Sequence, residues 1–376
     1  STLTAALSGV TTASGLTTLN GVTFNLGTTT VTWTATDIHG NSSVCSFNVT
    51  VIDNQNPIIT SCGAVGNQIV VADAGECNFT QTGTAWNATA TDNCTVSSIV
   101  YTLSGATTGT GTSLQGVDFN LGVTTVLWTV TDGAGNSSTC TFNVTVQDTQ
   151  LPAITSCGAI GTQTVSADAS VCTYTVTSTV WDATATDNCT VSSLTYNLTG
   201  ATSGTGTTLN GVVFNPGTTL VTWTVVDQSG NSSNCSFNVI VEDNEAPIIS
   251  NCPTTISVNT DNGVCGANVS WTVPSYTDNC GAAMTFTHTP GTLFQVGTTT
   301  VTYTVTDGAG NVSVCLFNVT VTDNEVPAVS CVQNIETCEP LVSFDAPVAS
   351  DNCAVQSVVQ TAGLPSNSVF PVGITT

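Results

Sequence analysis

The chain has 376 residues, 24 of them acidic, no lysine or arginine, and a formal net charge of −24. Affinity for nucleic acid rests on cationic side chains that neutralise phosphates, so that class of partner is excluded, and a polybasic membrane anchor with it. Hydrophobic residues make up 40% of the chain, enough for real cores, and cations are the natural counter-partners of so acidic a surface.

The first 53 residues already show the pattern that organises the rest. Val31, Trp33 and Ala35 alternate with Thr32, Thr34 and Thr36, the two-residue period of a half-buried strand. The turn "TDIHGN" follows, and then Cys45, Phe47, Val49 and Val51 alternate with Ser46, Asn48 and Thr50 as a second strand of a hairpin. The stretch "GNSSVCSFNVTVIDNQNPIITSC" (Gly40 to Cys62) then returns three times, from Gly135, Gly230 and, one residue shorter, Gly310. Self-similarity at a fixed period marks a repeat array. The boundaries read as a partial repeat over 1–53, whole repeats over 54–148, 149–243 and a shorter 244–323, and a second partial repeat over 324–376. The chain is expected to be a window of a longer array.

Short β-branched strands separated by turn signals, with no helical period anywhere, predict an antiparallel β-sandwich for each repeat. Two large aromatics recur at matching inward positions: Trp86 with Trp128, Trp181 with Trp223, Trp271 with Tyr303. A sugar-stacking platform would use such residues, but inward strand positions favour a paired aromatic core. The longer repeats carry an extra stretch, "LSGATTGTGTSLQGVDFNLG" and its counterpart, read as an added Gly/Thr-rich hairpin. Pro57, Pro152, Pro247 and Pro327 stiffen short linkers, so the repeats are expected to stack as an elongated rod.

Sixteen cysteines recur in register, and none stands at a C-x-x-C spacing, so zinc is a poor reading and a disulfide framework in a secreted protein a good one. In each whole repeat the second and third cysteines keep a short, nearly constant interval, from Cys77 to Cys94, from Cys172 to Cys189 and from Cys265 to Cys280. Such a fixed interval suits a local loop, which predicts the bonds Cys77–Cys94, Cys172–Cys189, Cys265–Cys280 and Cys338–Cys353.

The acids gather in three places. They occupy the linkers (Asp53, Asp148, Asp243, Glu245, Asp323, Glu325), the "TDNC" loops (Asp92, Asp187, Asp278, Asp351) and the hairpin turns (Asp132, Asp227, Asp307). In a sandwich these three should meet where one repeat joins the next. With no lysine or arginine nearby, such carboxylates repel one another unless a hard cation such as Ca2+ bridges them. The competing reading is that Asp and Asn only cap β-turns with their own side chains.

"FQVGTTTVTYTVTDGAGNVSVCLFNVTV" (Phe294 to Val321), with Asn251, Cys252 and Pro253 and the "TDNC" tetrads, resembles the HYR (hyalin repeat) module, an extracellular immunoglobulin-like domain. The resemblance covers essentially the whole chain and is strongest in the shorter repeat. It implies an all-β fold of tandem immunoglobulin-like antiparallel sandwiches. It also implies that the first and fourth cysteines of a repeat lie on neighbouring parallel strands, hence Cys62–Cys140, Cys157–Cys235 and Cys252–Cys315. Four-cysteine, Thr-rich, nearly charge-free units are further similar to repeats of giant gliding-motility adhesins of Bacteroidota, and the linkers resemble the calcium-binding linkers of cadherins.

Function follows by elimination and resemblance. His39 and His288 have no recurring nucleophile beside them, and no phosphate-binding loop is present, so catalysis is not expected. The reading is a structural stalk segment of a large, disulfide-stapled, secreted cell-surface adhesin filament, serving surface attachment or gliding motility. Its partners would be further repeats of the same chain and an extracellular ligand such as a surface polysaccharide, met through parts outside this fragment. The alternatives are a glycan- or protein-binding module, and a self-associating extracellular matrix protein of the hyalin type.

Overall fold

A computed structural model describes residues 1–64 and 66–375, and every regular element among them is a β-strand. Residues 54–148 show how the repeated sequence builds its sandwich. The central strand Gly122–Asp132 turns Thr124, Val126, Trp128 and Val130 inward, each fully buried, and Thr125, Thr129 and Thr131 to the half-exposed face. It pairs antiparallel with Ser137–Gln147 on one side and Val96–Gly105 on the other. Gly109–Gly111 extends one edge, and Gln68–Val71 runs parallel to the end of Ser137–Gln147 on the other, giving five strands.

The facing layer is two short antiparallel pairs, Ile58–Ser61 with Thr89–Thr91 and Asn78–Thr80 with Asp118–Asn120. Between the layers Trp86 meets Phe119 edge-on at 5.7 Å, and Tyr101 meets Trp128 at 5.5 Å. The indole N–H of Trp128 donates to the Trp86 carbonyl at 3.2 Å, so its one polar atom stays satisfied inside the core. Trp86 and Trp128 are therefore core residues. Phe119 is fully buried, and Phe119→Ala is expected to cost about 3–5 kcal/mol. Calorimetry should resolve one transition moved to lower temperature, that of residues 54–148, with the others unmoved.

The extra Gly/Thr stretch is a hairpin: Val96–Gly105 turns back as Gly109–Gly111, and Thr107 N–H is held by Thr124 Oγ1 at 3.0 Å. Residues 244–323 lack it and have a four-stranded sheet of Ile256–Asn259, Val312–Thr322, Gly297–Asp307 and Ala282–Phe286. In residues 1–53 a four-stranded sheet forms from Ala13–Leu16, Thr2–Gly9, Gly27–Thr36 and Ser42–Val51. There Phe47 is 48% exposed, whereas Phe142 and Phe237 are 4% exposed beneath Trp86 and Trp181.

The described chain divides into two compact units, residues 1–156 with 183–194 and 224–235, and residues 157–182 with 195–223 and 236–376. In both, the parallel pairing of first and last strands places a cysteine pair across the sheet edge. Cys62 is bonded to Cys140 and Cys252 to Cys315, with Cα separations of 5.9 and 5.8 Å. Cys157 and Cys235 each take part in a disulfide.

Candidate functional site

The residues with the least ordinary chemistry lie where one sequence repeat meets the next. Each "TDNC" tetrad, "SDNC" at residues 350–353, is an Asp-capped turn, in which the carboxylate accepts the N–H of the cysteine two positions on. The distances are 2.7 Å for Asp92 and Cys94, 2.9 Å for Asp187 and Cys189, 3.1 Å for Asp278 and Cys280, and 3.2 Å for Asp351 and Cys353. The turn presents its Asn and its Cys side by side toward the preceding repeat. Asn188 Nδ2 donates to the Glu76 carbonyl at 2.9 Å, Asn279 to that of Val171 at 3.3 Å, and Asn352 to that of Val264 at 3.1 Å. The residue after each of those carbonyls is a cysteine, and it is bonded to the cysteine of the tetrad: Cys77–Cys189, Cys172–Cys280 and Cys265–Cys353.

This corrects four expected bonds. Cys77–Cys94, Cys172–Cys189, Cys265–Cys280 and Cys338–Cys353 do not form; second and third cysteines pair across repeats instead. The constant interval has another cause. Cys77 lies beside Gly75 and Asp73, which are bonded to Gln150 of the following linker, whereas Cys94 lies beside Asp53 of the preceding one. The chain between Cys77 and Cys94 crosses the sandwich through Asn78–Thr80 and Thr89–Thr91. The interval therefore measures the length of a sandwich, which is nearly the same in long and short repeats.

Four thiols are free and exposed among the described residues: Cys45, Cys94, Cys331 and Cys338. The Cys94 thiol is pushed above its ordinary pKa by desolvation, then by its hydrogen bond to Asp53 and the charges of Asp53, Asp92 and Asp132.

The linkers reinforce the joint. Gln150 accepts from Gly75 N–H at 3.1 Å and donates to the Asp73 carbonyl, Glu245 accepts from Ser170 N–H at 3.0 Å, and Glu325 accepts from Gly263 N–H at 2.9 Å. The three turn residues have φ of 81°, 63° and 72°. Glycine adopts that region freely, and Ser170 does so as one of three non-glycine residues with positive φ among those described. Glu245 and Glu325 thus cap the preceding repeat's turn.

The hairpin aspartates are consumed locally. Asp132 Oδ1 accepts the N–H groups of Ala134, Gly135 and Asn136, and its Oδ2 accepts Asn136 Nδ2 at 2.8 Å. Asp227 and Asp307 repeat this with Asn231 and Asn311. The turn asparagines also tie the linker down: Asn136, Asn231 and Asn311 donate to the carbonyls of Asp53, Asp148 and Asp243 at 3.1–3.2 Å.

Desolvation raises the Asp132 pKa, but the hydrogen bonds from Asn136, Ala134 and Gly135 outweigh it, and the carboxyl sits below its ordinary 3.8. A depressed carboxyl contributes stability above its unfolded pKa and loses that contribution as pH falls through the lowered value. Melting temperature should therefore drop steeply below about pH 3.8. Asp132→Ala should melt lower at neutral pH and show a flatter acid limb in a pH series of melts.

The linker and tetrad aspartates do converge. One side-chain donor atom from each of Asp53, Asp92 and Cys94 lies within 4.8 Å of the others, as for Asp148, Asp187 and Cys189, and for Asp243, Asp278 and Asp307. Asp323 and Asp351 keep the same backbone hydrogen bonds, to Glu325 and Cys353. The sequence reading missed Asn188, Asn279, Asn352 and Gln150; the signal was the invariable Asn before the third cysteine in all four tetrads.

These features define a class: tandem disulfide-linked β-sandwich modules joined by acidic linkers. The HYR domain family matches residues 2–51, 53–146, 147–241 and 242–321, and the chain belongs to it. Hyalin of Strongylocentrotus purpuratus is 33% identical over 368 residues, covering 93% of this chain and 28% of that protein. Hyalin of Lytechinus variegatus is 33% identical over 375 residues, covering 94% and 64%. The chain therefore spans about a quarter to two thirds of the length of these relatives. Among solved structures, the protocadherin GammaB4 extracellular domain aligns over 87% of this chain and 62% of its own, at 17% identity and a TM-score of 0.29.

Proposed function

We propose that the chain is a tension-bearing segment of an extracellular adhesion-type protein, in which repeats are joined by two covalent routes. One route is the main chain. The other runs through Cys77–Cys189, back along residues 172–189, through Cys172–Cys280, back along 265–280, and through Cys265–Cys353. That second route is the observation that carries the reading, because a protein that only displayed a binding surface has no use for a parallel tether. Disulfides at this density fit an oxidising, extracellular compartment. Surface attachment or gliding motility of a whole filament, with a polysaccharide or other ligand bound through other parts of the parent protein, belongs to the same proposal. Pulling the chain by its ends in oxidising and reducing buffer tests it. An oxidised chain that lengthens as far as the reduced one overturns the reading.

A second reading, a self-associating matrix protein, is favoured by the 33% identity to hyalin across more than nine tenths of the chain. Sedimentation over a concentration series separates the two. Reversible assembly at micromolar concentration favours the matrix protein, and a monomer throughout favours the stalk.

A further inference from the structure

We infer that the junction at Asp243 is a binding site for a hard divalent cation, Ca2+, built from Asp243, Asp278, Asp307 and the amide oxygen of Asn279. One carboxylate oxygen of each of the three aspartates lies within 4.8 Å of the others, close enough for a single ion to bridge them at the 2.3–2.6 Å distances usual for calcium. Proximity of acids alone says little. The decisive feature is which of their oxygens have partners.

Asp243 is 9% exposed, and its Oδ1 accepts from Glu245 N–H and Asn279 Nδ2, while its Oδ2 is buried with no hydrogen-bond partner. Asp278 spends Oδ2 on Cys280 N–H and leaves a buried Oδ1 without one. Asn279 donates its Nδ2 to Asp243 and to the Val171 carbonyl, and its buried Oδ1 has no donor. Three unpartnered oxygens at one joint, with no lysine or arginine in the whole chain, form an arrangement that costs free energy by desolvation and by repulsion. A cation offsets both. Beside them opens a cleft of about 400 Å³ lined by Ser170, Glu245, Thr277, Asp278 and Asn279, with room for the waters that calcium keeps in its shell.

Equivalent linker and tetrad oxygens are unpartnered at two other junctions, and the tetrad oxygens alone at the last. They are Asp53 Oδ2 with Asp92 Oδ1, Asp148 Oδ2 with Asp187 Oδ1, and Asp351 Oδ1 with Asn352 Oδ1. Asp148 is 6% exposed. A local accident of packing does not recur at four joints. Donor type selects the metal class: carboxylate and amide oxygens suit calcium, whereas the sulfur of Cys189 is committed to its disulfide and offers no thiolate for zinc. Of the sequence candidates, Glu245 and Glu325 cap turns of the preceding repeat and are not among the gathered carboxylates.

The test uses the oxidised full chain, titrated calorimetrically with CaCl2 and melted in CaCl2, in EDTA, and in NaCl of matched ionic strength. Saturable binding of several ions per chain is expected, with melting raised by several degrees in CaCl2 over matched NaCl. The variant Asp243→Asn/Asp278→Asn keeps shape and removes charge. It should lose about one binding equivalent, melt at or above the parent in EDTA because repulsion is relieved, and melt below it in CaCl2. Absence of saturable binding, equal melting in CaCl2 and matched NaCl, or an unchanged number of equivalents in the variant would each overturn the assignment.

Discussion

Pulled between its ends under oxidising conditions, the chain should be close to inextensible between Cys77 and Cys353. The shortest covalent path there runs through Cys77–Cys189, Cys172–Cys280 and Cys265–Cys353, and includes only the segments from Cys189 back to Cys172 and from Cys280 back to Cys265. At about 3.4 Å per residue that path stretches to roughly 110 Å, whereas the main chain between the same two cysteines reaches roughly 900 Å. Reduction should therefore add several hundred ångströms of extension, released repeat by repeat. The within-repeat bonds add a further restriction, since Cys62–Cys140 hides 78 residues behind a Cα separation of 5.9 Å. A force-extension record in which oxidised and reduced molecules lengthen alike would mean that the second route is absent.

The two kinds of bond should fail differently when removed one at a time. Cys62→Ala/Cys140→Ala opens a 78-residue loop, which chain-entropy arguments value at about 4.5 kcal/mol. For a domain of this size that corresponds to a melting shift of roughly 20–30 °C, confined to residues 54–148. Cys77→Ser/Cys189→Ser leaves that core bond and the buried aromatics in place, so each sandwich should stay folded. The expected change is in extension under load, while the calorimetric transition of each sandwich should stay near its parent temperature. A fall in melting of the Cys77/Cys189 variant as large as that of the Cys62/Cys140 variant would contradict the division of labour.

The fold was legible because its signals are local. Alternation of Val126, Trp128 and Val130 with Leu127, Thr129 and Thr131 marks a strand and its buried face, and "TDGAGN" fixes the hairpin after it through Asp132 and Asn136. The repeated text did the rest, since one solved pattern served four times. The junction was only half legible. That linker and tetrad acids converge follows from topology, and the structure gathers Asp243, Asp278 and Asp307 as that argument requires. The partners of the second and third cysteines were not legible from spacing. A short, constant interval fits a closed loop and a straight crossing of the sandwich equally well. Only the three-dimensional path, with Cys77 at one end and Cys94 at the other, distinguishes them. Asp132, Asp227 and Asp307 are all hydrogen-bonded within their turns, and Asp307 in addition has a carboxylate oxygen near those of Asp243 and Asp278.

The central claim is that successive repeats are joined covalently by second-to-third cysteine bonds, and disulfide mapping without reduction tests it most directly. Trypsin has no primary site in this chain, so pepsin or an acid-residue-directed protease at low pH, where exchange is slow, is the appropriate reagent. The account predicts cross-linked peptides containing Cys77 with Cys189, Cys172 with Cys280 and Cys265 with Cys353, alongside Cys62 with Cys140 and Cys252 with Cys315. Recovery of Cys77 with Cys94, or of Cys172 with Cys189, would close each pair inside its own repeat and contradict it.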